Sequence, residues 1–229
     1  MSFNLRSRAL AEFLGTAFLL AAVVGSGIMG ERLSGGNVGL ALLANSVATG
    51  AALVALILTF ASISGAHFNP VVTLAQAIES QIAWSDVPAY ILAQTVGAFA
   101  GVAAAHLMFG LPLFFASQHG RSGGGLLWSE FVATFGLVAV IEGCGRARSS
   151  AIPYAVGAYI AAAYWFTAST SFANPAVTLA RAASDTFAGI RPGDAPGFVV
   201  AQLVGGTAAA LFFRRLLRAA PQQATLPEA

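Results

Sequence analysis

The feature that most constrains this chain is that its apolar residues fall into six stretches of about twenty. They run near Ala9–Met29, Val38–Ser62, Asp86–Met108, Leu126–Gly145, Ala151–Ala168 and Pro196–Leu216. A bilayer core of about 30 Å needs roughly 20 apolar residues per crossing helix. Inside lipid only a helix or a closed barrel satisfies its own backbone. Composition agrees: 57% of the 229 residues are hydrophobic and 9% charged, against about 25% charged in a soluble domain. The first stretch is longer than a signal-peptide core and ends at no clear cleavage site, so it is read as a span. The expectation is an all-α protein that crosses the membrane six times.

Charge excludes several function classes. All eleven basic residues are arginines and the net charge is +2, too little for a nucleic-acid binder working by phosphate neutralisation. The single cysteine, Cys144, has no partner for a disulfide or a thiolate metal site. His106 and His119 suggest no ligand cluster, so neither metal nor cofactor is expected. With both termini cytoplasmic, seven arginines fall inside and four outside. That is the sense of the positive-inside rule.

Two apolar segments are left over. Asn69–Ser80 and Asn174–Asp185 hold about a dozen residues each, enough for roughly 15–18 Å of helix, half a bilayer. Both open on Asn-Pro, an N-cap followed by the first helical position that tolerates proline. They read as half-helices starting within the membrane. Irregular backbone at that depth requires burial in protein or a polar path.

Residues 69–76 and 174–181 agree at six of eight positions. Glu12 is matched by Glu130 and Gln94 by Gln202, and the three offsets are 118, 105 and 108 residues. The chain therefore reads as a tandem duplication, repeat 1 near residues 8–109 and repeat 2 near 125–218, forming one channel domain. Three spans per unit leave the copies inverted in the membrane.

Six spans, two half-helices, paired Asn-Pro motifs and a glutamate in the first span of each repeat resemble the aquaporin/glycerol-facilitator (major intrinsic protein) family. The resemblance covers nearly the whole chain. It implies a passive channel for small uncharged solutes such as glycerol, urea, metalloid hydroxides or methylated arsenicals, with water and without ions or protons. It also implies a homotetramer, each protomer with its own pore, in a bacterial inner membrane. The motif residues are Asn69, Pro70 and Val71, where the family has Asn-Pro-Ala, and Asn174, Pro175 and Ala176. Both asparagines would offer amide hydrogens to the solute, and the helix dipoles would repel cations. Val71 is expected to add bulk near the constriction.

The family's outer filter, counted without gaps from the asparagines, falls on Thr49, Ala162, Ser171 and Val177. Small side chains and a missing arginine imply a wide, partly apolar opening. Arg181 lies one turn beyond Val177. It is expected to pair with Asp185, the alternative being that it reaches back into the vestibule. His67 either faces the pore or packs.

By the same resemblance Glu12 and Glu130 brace the loops ahead of the half-helices, as intramembrane acids are otherwise costly. Gln94 and Gln202 would satisfy loop carbonyls, and Glu142 would pair with Arg146. Gly97 and Gly101 suit close helix packing. Three rival readings are a strict water channel, an ion-coupled transporter, which inverted repeats also build, and a membrane enzyme. The transporter needs a titratable group beside its substrate, and the enzyme needs a nucleophile–base pair. The pore motifs supply neither.

Overall fold

The computed structural model describes residues 3–218. The two ends of the chain, which the topology above places in the cytoplasm, lie outside these residues. Eight helices follow one another: α1 (Leu5–Leu33), α2 (Val38–Ser64), α3 (Pro70–Ile78), α4 (Val87–Met108), α5 (Gly124–Ala147), α6 (Ile152–Phe166), α7 (Pro175–Arg181) and α8 (Ala195–Arg218). The pattern long, long, short, long occurs twice. Five helices are long and apolar enough to cross a membrane. The remaining long one, α6, has 15 residues behind a 3-10 turn at Ser149–Ala151. It rises about 22 Å, and Pro153 in its first turn sets its start.

Local chemistry sets the boundaries. Asn4 caps α1 by accepting from the Ser7 amide, and Asn37 caps α2 by accepting from Leu40. Gly65 ends α2 in the left-handed conformation, φ 89°, where a side chain is strained. Asn69 and Asn174 cap α3 and α7, each followed by proline at the first position. These half-helices are shorter than the apolar segments suggested. The chain turns after Ile78, and α7 gives way to turns after Arg181.

Tight crossings hold the bundle. In repeat 1 α1 packs along α4; in repeat 2 α5 packs along α8; α2 against α6 joins the halves. Gly97 on α4 touches the Phe13 backbone so closely that a Cβ would collide with its carbonyl, and Gly205 on α8 stands in the same relation to Phe131. Gly97 and Gly101 thus serve the α1–α4 contact. The loop between α4 and α5 folds back on the end of α7, Phe115 and Ser117 donating to the carbonyls of Ala183 and Ala182.

Candidate functional site

Each half-helix is preceded by a loop whose backbone turns left-handed at residues other than glycine. Ala66 and Phe68 have φ of 52° and 49°, and Ser171 and Ala173 have 49° and 48°. This region is sparsely populated by L-residues, so something must hold it. Glu12, fully buried on α1, does so in the first repeat. It accepts from the Ser64 hydroxyl (2.6 Å), the His67 amide (2.9 Å), the Phe68 amide (2.6 Å) and Gln94 Nε2 (2.8 Å). Glu130 on α5 accepts from the amides of Phe172 (2.9 Å) and Ala173 (2.8 Å) and from Gln202 Nε2 (2.6 Å). Gln94 and Gln202 also donate to Thr73 and Thr178 on α3 and α7. The glutamines therefore tie span to half-helix and donate to no loop carbonyl.

The two loops meet. Asn69 Nδ2 donates to the Ala173 carbonyl and Asn174 Nδ2 to the Phe68 carbonyl, both at 2.8 Å. The Asn69 amide oxygen accepts from the Val71 amide, and that of Asn174 from Ala176 and Val177. One N–H of each carboxamide is thus committed to the opposite loop, and the second is left over. Both side chains line a cavity of about 190 Å³ that passes between the loops. A water occupies about 30 Å³ in the liquid, so a short file of waters or one small polyol fits.

The cavity lining is mostly apolar, with few polar atoms. Leu53, Ile57, Leu137, Ile141 and Val156 line part of it, and Gln76 and His67 are among its polar residues. His67 is half-buried, with Nδ1 3.1 Å from the Thr73 hydroxyl and its ring 5.2 Å from that of Tyr90. It both packs and faces the cavity. Thr49, Ser171 and Val177 also line the space. The Ser171 hydroxyl is buried with no hydrogen-bond partner among the described residues.

Besides the two glutamines, four positions depart from the sequence reading. Ala162 is exposed and sits on the far side of α6 from the Ile152–Val156–Ile160–Tyr164 stripe that lines the cavity. Steps of four residues keep a side chain on one helix face, and a gap-free count across the loop from Thr167 to Asn174 missed that register. Tyr164 stands where Ala162 was expected, its hydroxyl 3.3 Å from Thr49 Oγ1. Val71 points away from the cavity into the notch left by Gly206 on α8, beside Val138 and Ala209. It adds no bulk to the path. Arg181 does not pair with Asp185, whose carboxylate accepts from the Gln118 amide at 2.8 Å. The guanidinium is buried, donates from Nε to the Ala188 carbonyl, and lies 3.3 Å from the centre of the Phe172 ring, facing the cavity. Glu142 takes a hydrogen bond from Gln76 (3.0 Å), and Arg146 pairs instead with Glu79 at 3.8 Å.

Sequence reasoning missed Tyr164, Phe172 and Arg121. The four-residue step along α6 is the signal that marks Tyr164. Arg121, from the α4–α5 loop, donates to the carbonyls of Gly189 (2.8 Å) and Ser169 (3.3 Å), a contact with no local signature.

Two capped half-helices opening on one internal cavity, inside a bundle of duplicated spans, define a membrane channel. The chain belongs to the major intrinsic protein family, whose model matches residues 1–149. It is 54% identical to Aquaglyceroporin AqpS of Rhizobium meliloti (strain 1021) over 218 residues, 95% of this chain and 93% of that protein. It is 35% identical to Aquaporin NIP1-3 of Oryza sativa subsp. japonica over 185 residues, 78% of this chain and 64% of the relative. The X-ray structure of the aquaglyceroporin from Plasmodium falciparum shares the fold at a TM-score of 0.73 and 22% identity, covering 93% of this chain and 97% of that one.

Proposed function

We propose that this chain forms a passive pore for small uncharged solutes of the glycerol type, together with water, and that it catalyses no reaction. Urea, metalloid hydroxides and methylated arsenicals belong to the same solute class. The observation that carries the reading is the cavity lining: mostly apolar side chains, with hydrogen-bonding groups from Thr49, Ser171 and the two asparagine amides among them. A solute that carries both carbon and hydroxyls matches both kinds of surface, whereas water matches only the polar one. Val177, buried and cavity-facing, puts an uncharged side chain where the family's filter has arginine.

The reading assigns solute contact to Asn69, Asn174, Thr49, Ser171 and Val177, with Tyr164 in place of Ala162 and His67 as a further lining residue. Pro70, Pro175, Val71 and Ala176 shape the half-helix starts. Glu12, Glu130, Gln94 and Gln202 are scaffold. One domain of two inverted repeats, near 8–109 and 125–218, makes up the pore. Four such chains assemble as a homotetramer in a bacterial inner membrane, with both termini in the cytoplasm.

Stopped-flow light scattering on proteoliposomes tests this, comparing water, glycerol, urea and an uncharged arsenical without any ion gradient. Facilitated glycerol passage is expected. Water passage with no glycerol passage would favour the strict water channel, and solute passage that needs an ion gradient would favour the coupled transporter.

A further inference from the structure

Beyond the narrow level of the pore, on the side where α7 ends, a second space of about 160 Å³ is lined by Asn45, His119, Arg121, Thr170, Arg181 and Phe187. Arg181 lines this space and the main cavity alike, so the two adjoin at its side chain. The volume corresponds to about five waters.

Two guanidiniums share this mouth, and neither is in an ion pair among the described residues. The Arg181 Cζ lies 3.3 Å and the Arg121 Cζ 5.0 Å from the centre of the Phe172 ring. The ion pairs among the described residues are Arg8–Asp86, Arg146–Glu79 and Arg191–Asp194, and neither of these two arginines takes part in one. The nearby acids are engaged elsewhere: Asp194 holds Arg191 and the Arg121 backbone amide, Asp185 holds the Gln118 amide, and Glu130, whose charge reaches both arginines, holds the Phe172 and Ala173 amides and Gln202. Among the described residues the one side-chain hydrogen bond of Arg181 is from Nε to the Ala188 carbonyl. Its terminal nitrogens have no acceptor among the described residues, and its side chain lines both spaces. Arg121 is half-buried and spends Nε and Nη1 on the Gly189 and Ser169 carbonyls and the Thr170 hydroxyl.

A buried cation is stabilised by a paired anion or by well-placed acceptors. The ring face of Phe172 meets part of that need. The fork of terminal N–H groups on Arg181 stays open, and a planar fork matches two oxygens of one oxoanion.

We propose that Arg181 and Arg121 form a binding site at this mouth for a small monovalent oxoanion of the carboxylate type, held bidentately by Arg181 with Arg121 adding charge. The proposal rests on the reading of the chain as a solute channel, because the site sits on the solute's path. It assigns the channel a second class of ligand, small oxoacids, which the two arginines recognise at this mouth.

The test uses purified full-length protein and two probes of one shape, lactate and its neutral amide, lactamide. Isothermal titration calorimetry should show saturable lactate binding to the unmodified protein and at least about tenfold weaker lactamide binding, the difference one charge-assisted bidentate contact makes. Arg181→Gln and Arg121→Gln should each weaken lactate about tenfold and leave lactamide unchanged, levelling the preference. In vesicles lactate should slow glycerol passage through the unmodified protein and not through Arg181→Gln. Equal binding of lactate and lactamide by the unmodified protein, which needs no variant, overturns the proposal. So does a lactate preference that survives both substitutions. Glycerol passage in the same vesicles separates the two readings. If it is present and lactate neither binds nor blocks, this site alone is refuted; if it is absent, the channel reading fails.

Discussion

The loop ahead of α7 depends on one carboxylate, and replacing Glu130 by glutamine measures how much. Glu130 is fully buried and accepts three hydrogen bonds, one from the Phe172 amide on Oε1 and two, from the Ala173 amide and Gln202 Nε2, on Oε2. All three partners are donors. A glutamine keeps one acceptor oxygen and turns an NH₂ toward the others, so one donor or two lose their partner whichever way the amide is placed. An orphaned buried donor costs about 1–3 kcal/mol, and each surviving bond drops from the charged to the neutral range, about 1 kcal/mol less. The sum is about 3–5 kcal/mol, a large fraction of the stability of an ordinary domain. The damage falls on Ser171 and Ala173, whose left-handed backbone costs of order 1–3 kcal/mol each without support. Glu130→Gln should therefore lower the unfolding midpoint of the purified protein and reduce glycerol passage at equal protein density in vesicles. Glu12→Gln should be at least as harmful, since Glu12 serves four donors. An unfolding midpoint and a glycerol flux both equal to those of the parent protein would refute the view that this carboxylate holds the loop.

Val71→Ala should cost about 1–3 kcal/mol of stability by opening a void beside Gly206, with the glycerol-to-water permeability ratio unchanged, because Val71 faces α8. Gly205→Val should prevent α5 and α8 from closing and yield protein that fails to elute as a single species on size exclusion, since even a Cβ there meets the Phe131 backbone. Val177→Arg should narrow the path and lower glycerol passage more than water passage in stopped-flow measurements, provided the variant elutes as the parent does; an unchanged or raised ratio would place Val177 outside the narrow level.

The sequence by itself determined what depends on neighbours along the chain. Apolar runs of membrane length, Asn-Pro starts and the duplicated order of landmarks specified the spans, the half-helices and their caps, because hydrophobic burial and helix capping act within a few residues. The glutamates stood out as acids at matching places in the two repeats, costly inside a span unless paired, and the resemblance to the family supplied their role as braces. Tertiary structure decided where side chains point. Val72 and Val177 hold the same position in the two half-helices and both face the cavity, while Val71, one residue earlier, fills a notch left by Gly206, 135 residues further along the chain. Ala162 and Tyr164 are two residues apart, and only the rotation of α6 against α2 put the tyrosine inward. Arg181 has an acid four residues away, the partner sequence suggests, but that acid is taken by a loop 67 residues upstream. Its guanidinium was left to Phe172 and the pore mouth. Such choices rest on contacts between residues far apart in sequence, and a buried polar group takes the partner that packing brings to it.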